Sequence, residues 1–130
     1  MWNLYDIVSF YDLIAHSFSG VLFAVIGYEL FLQNGKNKAS YVWIFIISFA
    51  IACMAGSLWE IWEFAGDRIF GLNAQRVNDL NGVPLVGSQA IMDTMEDTIC
   101  NTIGALIGSS IAVILKKKKD KMSGENTLEQ

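Results

Sequence analysis

Three apolar runs, at about 13–32, 41–64 and 91–115, constrain this chain more than any other feature. Each is long enough for a bilayer, whose hydrocarbon core takes roughly 20 apolar residues of helix to cross. The expected fold is all-α: a polytopic membrane bundle with three transmembrane helices. The chain is 130 residues long and 53% hydrophobic, with one proline and a mean hydropathy of +0.39. That is material for one membrane domain, residues 1–115, and little else.

Between the first two runs lies a short polar loop, 33–40, with Asn34-Gly35 as its turn signal. Between the second and third lies 71–90, rich in Gly and Asn and holding Pro84, expected as an ordered loop or a re-entrant segment. Residues 116–130 form a basic, polar tail that cannot bury a core and is expected to lack fixed structure. Residues 1–10 have no positive n-region, so no signal peptide is read there. Trp2, Leu4, Tyr5 and Ile7 suggest an interfacial segment. Cys53 and Cys100 fall in apolar segments and read as small hydrophobes. The one lysine run flanks an apolar segment, which argues against nucleic acid as a partner.

Lysine asymmetry sets the expected orientation. Lys36, Lys38, Lys116, Lys117, Lys118, Lys119 and Lys121 fall on one side of a three-pass chain, and only Arg68 and Arg76 on the other. The N-terminus is therefore expected outside and the C-terminus in the cytoplasm. Trp43 then marks the inner interface, with Trp59 and Trp62 at the outer one.

Against this apolar background the carboxylates stand out. Glu60, Glu63 and Asp67 close the second run at i, i+3 and i+7; Asp93, Asp97 and Asn101 open the third at i, i+4 and i+8. Each set lies along one helix face. Ionisable groups in a membrane segment are costly and mark candidate functional sites. Counting about 20 residues from each inner boundary puts His16, Glu60, Glu63, Asp93 and Asp97 within about one turn of a common outer plane.

The polar stripes continue into lanes of small residues: Asp12, His16, Gly20, Ala24; Ser48, Ala52, Gly56, Glu60; and Gly104, Gly108, Ala112 below Asn101. Small residues at this spacing let membrane helices approach closely, which turns the carboxylates into the bundle.

Several carboxylates in one low-dielectric pocket cannot all be ionised without compensation. Shared protons, a cationic partner or a bound cation would each supply it, and Arg68 and Arg76 neutralise only part of the set. A divalent ion is the economical answer. The oxygen-rich set His16, Glu60, Glu63, Asp67, Asp93 and Asp97 suits Mg²⁺, Mn²⁺ or Ca²⁺, with Zn²⁺ or Fe²⁺ open if His16 ligates. A blander reading stands beside this one. Polar residues near helix ends can simply face headgroup water, and first-turn acids such as Asp93 and Glu96 favour a helix N-terminus. Glu96 sits off the Asp93/Asp97 lane, Glu29 reads as interfacial, and Asp12 to His16 permits a plain hydrogen bond.

Four motifs in order carry a family resemblance: Asp12-x-x-x-His16-x-x-x-Gly20, Trp59-Glu60-x-x-Glu63-x-x-x-Asp67, Phe70-Gly71-x-Asn73-x-Gln75, and Asp93-Thr94-x-x-Asp97-x-x-x-Asn101-x-x-Gly104-x-x-x-Gly108. Over roughly residues 10–115 the chain resembles the YjdF-type membrane proteins. These are related to the VanZ-like group, whose namesake is associated with teicoplanin resistance. The resemblance implies a bacterial envelope protein with an acidic intramembrane site at Asp12, His16, Glu60, Glu63, Asp67, Asp93 and Asp97. Asn101 stands where YjdF-type proteins often carry Asp, which makes a charge there dispensable. Such proteins also tend to have further helices upstream.

The resulting expectation is a multi-pass protein of the bacterial cytoplasmic membrane whose outward-facing site binds a divalent cation. Through it the site would hold an anionic lipid or cell-wall precursor headgroup, with Asp12, Arg68, Gln75, Arg76 and Asn101 set to meet the ligand. Phosphoryl or acyl chemistry stays open, as do cation- or proton-coupled transport and a non-catalytic envelope module affecting glycopeptide-type drug sensitivity. A three-helix bundle is thin, so a homo-oligomer or a membrane-protein partner is expected.

Overall fold

The computed structural model describes residues 11–33, 39–79 and 81–128. The expected interfacial segment at 1–10 and the loop lysines Lys36 and Lys38 lie outside them. Three helices account for most of the described chain: α1, Tyr11–Gln33; α2, Tyr41–Phe70; and α3, Met92–Leu128, which a 3₁₀ turn at Gly87–Ile91 leads into. All three are long and apolar enough to cross a membrane. The all-α expectation is met, with large boundary differences at the C-terminal ends of α2 and α3.

α2 runs six residues past the expected 64, to Phe70. It stops where Gly71 takes a left-handed conformation (φ 64°) and returns its N–H to the Asp67 carbonyl at 3.1 Å. α3 continues past 115 through the lysine run to Leu128, so residues 116–128, expected as an unstructured tail, are helical. The extension is tied down at its root. Lys116 is buried and pairs with Asp120, which also accepts from the Tyr41 hydroxyl (3.3 Å), while Lys117 lies over the Tyr41 ring. Composition alone could not reveal this, because the tether joins the start of α2 to a segment 79 residues later.

Large apolar side chains such as Phe18, Ile61, Trp62 and Ile114 face outward, as a lipid solvent requires. The small-residue lanes face in. α1 packs more extensively on α3 than on α2. The contact is tightest where Gly104 meets the Ser17 carbonyl and where Gly20 meets the backbone of Asn101 and Ala105, with no room for a Cβ. Below these contacts the core is Ala24, Ala52 and Ala105, then Tyr28, Leu32, Ile44 and Ala112. The half of the bundle away from the 71–90 loop is therefore filled, and the polar stripes of all three helices converge above it.

The described residues between α2 and the 3₁₀ turn form an ordered loop. Asn78 and Pro84 form an isolated antiparallel bridge, with Asp79 N–H donating to the Val83 carbonyl (2.9 Å) and Leu85 N–H to that of Val77 (2.9 Å). Asp79 caps the tip by accepting from the Val83 and Asn81 amides, each at 2.8 Å. The Val83 amide, and Asn81 after it, hold this exposed carboxyl below the ordinary Asp range.

Candidate functional site

The lane spacing of α1 buries Asp12 and His16 one turn apart and aims both at the facing helices. His16 is the hub. Its Nε2 lies 3.7 Å from Asp12 Oδ1 and 3.7 Å from Asp97 Oδ2, and its Nδ1 lies 3.9 Å from Glu60 Oε1. All three separations exceed hydrogen-bond reach, so the imidazole is surrounded by carboxylates without being bonded to them. Two groups of ligand atoms, each within 4.8 Å of one another, could hold a metal ion: Asp12, His16 and Asp97; and Glu60, Glu63 and Asp97. Asp97 belongs to both.

Asp97 is 1% exposed, and neither of its oxygens has a hydrogen-bond partner among the described residues. Asn101, one turn along α3, donates from Nδ2 to the Ala52 carbonyl at 3.3 Å and leaves its own buried Oδ1 without a partner among the described residues. Glu60 is approached by the side chains of Thr94 and Gln75, which also bond one another at 3.1 Å. Glu63 accepts from Trp59 Nε1 at 2.9 Å through one oxygen, and its other is buried without a partner among the described residues.

One arginine closes the site from the loop side. Arg76 Nη2 donates to Asp12 Oδ2 at 3.1 Å and Nη1 to Asp93 Oδ1 at 3.0 Å. It therefore clamps α1 to α3 across the top of the cluster, with its side chain 39% exposed. Its backbone sits at φ 47°, a left-handed conformation that costs a non-glycine residue about 1 kcal/mol or more. The loop holds that strain, and the double ion pair is what it obtains in return.

Two of the expected site residues stand apart. Asp67 accepts from the Asn73 and Ala74 amides through Oδ1 (2.9 and 2.6 Å) and from the Gln75 amide through Oδ2 (3.1 Å). It anchors the loop that delivers Gln75 and Arg76, and it belongs to neither ligand group. Arg68 is exposed and lies 5.8 Å over the Phe64 ring, away from the cluster. The i+7 offset of Asp67 from Glu60 keeps it on the same helix face, but it lies about two turns further along α2, where it meets the loop and not the facing helices. Glu96 and Glu29 are exposed. Trp59 and Thr94 were not singled out for the site. The i, i+4 spacing of Trp59 to Glu63 could have disclosed the first; nothing local signals the Gln75–Thr94 bond.

Two cavities flank His16. One of about 80 Å³ is lined by Glu60, Asn101, Thr98 and Cys53 among others. The second, about 290 Å³, lies between α1 and α2 against Asp12, Glu63, Trp59, Phe23 and Ala55. The larger combines carboxylates at one end with apolar walls at the other.

A family model described as "Predicted membrane protein (DUF2238)" matches residues 1–118. No curated protein and no solved structure matches the chain.

Proposed function

The chain belongs to the DUF2238 family of predicted membrane proteins, and from that premise we propose that its acidic cluster binds a divalent cation and, through it, an anionic headgroup. The headgroup is that of a membrane lipid or a lipid-linked cell-envelope precursor. The YjdF-type resemblance is the narrower family reading, and with it go a bacterial cytoplasmic membrane, an N-terminus outside and a site open to the outer face.

Asp97 carries the reading. A carboxylate only 1% exposed, with neither oxygen partnered among the described residues, costs several kcal/mol if left ionised and uncompensated. Arg76 is already engaged by Asp12 and Asp93. A cation held by Glu60, Glu63 and Asp97, or by Asp12, His16 and Asp97, would compensate Asp97 and lie beside the other unpartnered oxygens of the cluster. Hard oxygen ligands with one imidazole favour Mg²⁺ or Mn²⁺, with Ca²⁺ and Zn²⁺ as competitors. The larger cavity offers the headgroup a place beside the ion and a lipid chain a path along Phe23 and Ala55. Arg76, partly exposed, would meet a phosphate as a charge-assisted donor. Proton- or cation-coupled transport asks for a polar path to the inner end, and the fully buried alanines Ala24, Ala52 and Ala105 weigh against one.

The test is metal analysis of protein purified in mild detergent after incubation with Mg²⁺, Mn²⁺, Ca²⁺ or Zn²⁺ and desalting. Wild type should retain at least one equivalent of one of these ions, and Glu60→Gln and Asp97→Asn should retain far less. Wild type retaining none under any loading would remove the cation from the account.

A further inference from the structure

The two ligand groups share one member, Asp97. We propose, resting on the cation reading above, that they are two adjacent positions of a dinuclear centre bridged by Asp97. The first position is formed by Asp12, His16 and Asp97, the second by Glu60, Glu63 and Asp97, and in each the ligand atoms lie within 4.8 Å of one another. Asp97 is common to both, and a carboxylate has one oxygen to give to each ion. Both oxygens of Asp97 are buried and free of hydrogen bonds among the described residues, which is what a bridging ligand requires.

The spacing fits. In the first position His16 Nε2 is 3.7 Å from an oxygen of Asp12 and 3.7 Å from one of Asp97. One ion between such atoms reaches both with bonds of about 2.1 Å, the length Mg²⁺ or Zn²⁺ uses. Independent support comes from Asn101, which is not an acid. Its side chain is 3% exposed, its Oδ1 has no partner among the described residues, and it lines the same small cavity as His16 and Glu60.

Charge points the same way. Asp12, Glu60, Glu63, Asp93 and Asp97 bring five formal negative charges, and Arg76 returns one. A single divalent ion leaves the pocket with an excess of two, whereas two divalent ions balance it. A paired centre of this type binds phosphate or pyrophosphate oxygens across both ions, the headgroup class already proposed for the neighbouring cavity.

Manganese binding to the full chain in detergent or nanodiscs tests this, read by metal stoichiometry and by electron paramagnetic resonance. Saturation should give two Mn²⁺ per chain. Ions about 3.5–4 Å apart should show the broad spectrum of a coupled pair in place of the six-line signal of isolated Mn²⁺. Asp12→Asn and Glu63→Gln should each bind one ion and restore the six-line signal. One ion per wild-type chain with an isolated spectrum overturns the pair while leaving a single cation site standing. Two ions with uncoupled spectra overturn the Asp97 bridge, and no bound ion overturns both readings. The primary readout is on wild type, so a variant that fails to fold does not remove the test.

Discussion

Asp97 Oδ2 and His16 Nε2 face each other across the α1–α3 seam at 3.7 Å, both residues buried and neither donating to the other. A direct hydrogen bond would close this gap by nearly an ångström. Just below this pair, Gly104 and Gly20 set how near the α1 and α3 backbones come.

Replacing Asp97 should then separate binding from folding. Asp97→Asn keeps the volume and removes a buried charge, so the protein should fold. Loss of a supporting partner alone costs a metal site about 10–100-fold in affinity, and loss of this ligand should cost at least as much. Isothermal titration of the chelated protein with Mn²⁺ measures it. Unchanged affinity would take Asp97 out of the site.

Arg76→Ala should leave Asp12 and Asp93 facing each other without their shared cation. Breaking a fully buried pair costs about 3–5 kcal/mol. The 39% exposure of the Arg76 side chain reduces that to about 1–2 kcal/mol after solvent screening. Thermal unfolding in detergent reports it. Arg76→Lys should recover only part, since one ammonium cannot repeat the two-pronged contact.

Asp67 provides the contrast with the cluster. Asp67→Ala removes the acceptor of three loop amides, so hydrogen exchange and proteolysis within 71–79 should rise while bound metal falls little. A loss of metal as deep as that of Asp97→Asn would return Asp67 to the ligand set. At the loop tip, Asp79 accepts two amides and its carboxyl is held below the ordinary value of 3.8. A depressed folded pKa gives stability that is present above the unfolded value and lost as pH falls through the folded one. Protection of the Val83 amide should accordingly persist to about pH 4 and disappear in stronger acid.

The packing lane has an internal control. Gly104→Ala places a Cβ against the Ser17 carbonyl, whereas at Gly124 a Cβ meets nothing. The first should destabilise by about 1–3 kcal/mol, and the second should be neutral or slightly stabilising because Gly is a poor helix residue. Equal effects in unfolding experiments would mean that α1 and α3 are not in contact at Gly104.

Much of this arrangement is legible in the sequence because it depends on periodicity. Apolar runs give the three helices, and four-residue lanes give the faces. Depth counting brings His16, Glu60, Glu63 and Asp97 together from three helices. What sequence does not disclose depends on where the chain goes after a helix ends. Asp67 continues the Glu60/Glu63 pattern, yet α2 outlasts the convergence plane and Gly71 turns the loop back over it. Arg76 and Arg68 are equally basic in sequence. Only the loop path, with its left-handed Arg76, brings one to Asp12 and Asp93 and leaves the other on Phe64.

The claim that a divalent cation compensates the buried carboxylates is tested most directly by thermal stability against pH, with and without chelator. With the ion bound, the folded state holds its carboxylates unprotonated and the unfolded state takes up protons in acid. Stability should then rise with pH. With the ion removed, the folded pocket retains protons that the unfolded chain has released at neutral pH, and the slope reverses: weakest near pH 7, recovering as pH falls. Curves of opposite slope below neutrality are the predicted result. Curves that coincide at every pH, for protein first loaded with Mg²⁺ or Mn²⁺, would contradict it.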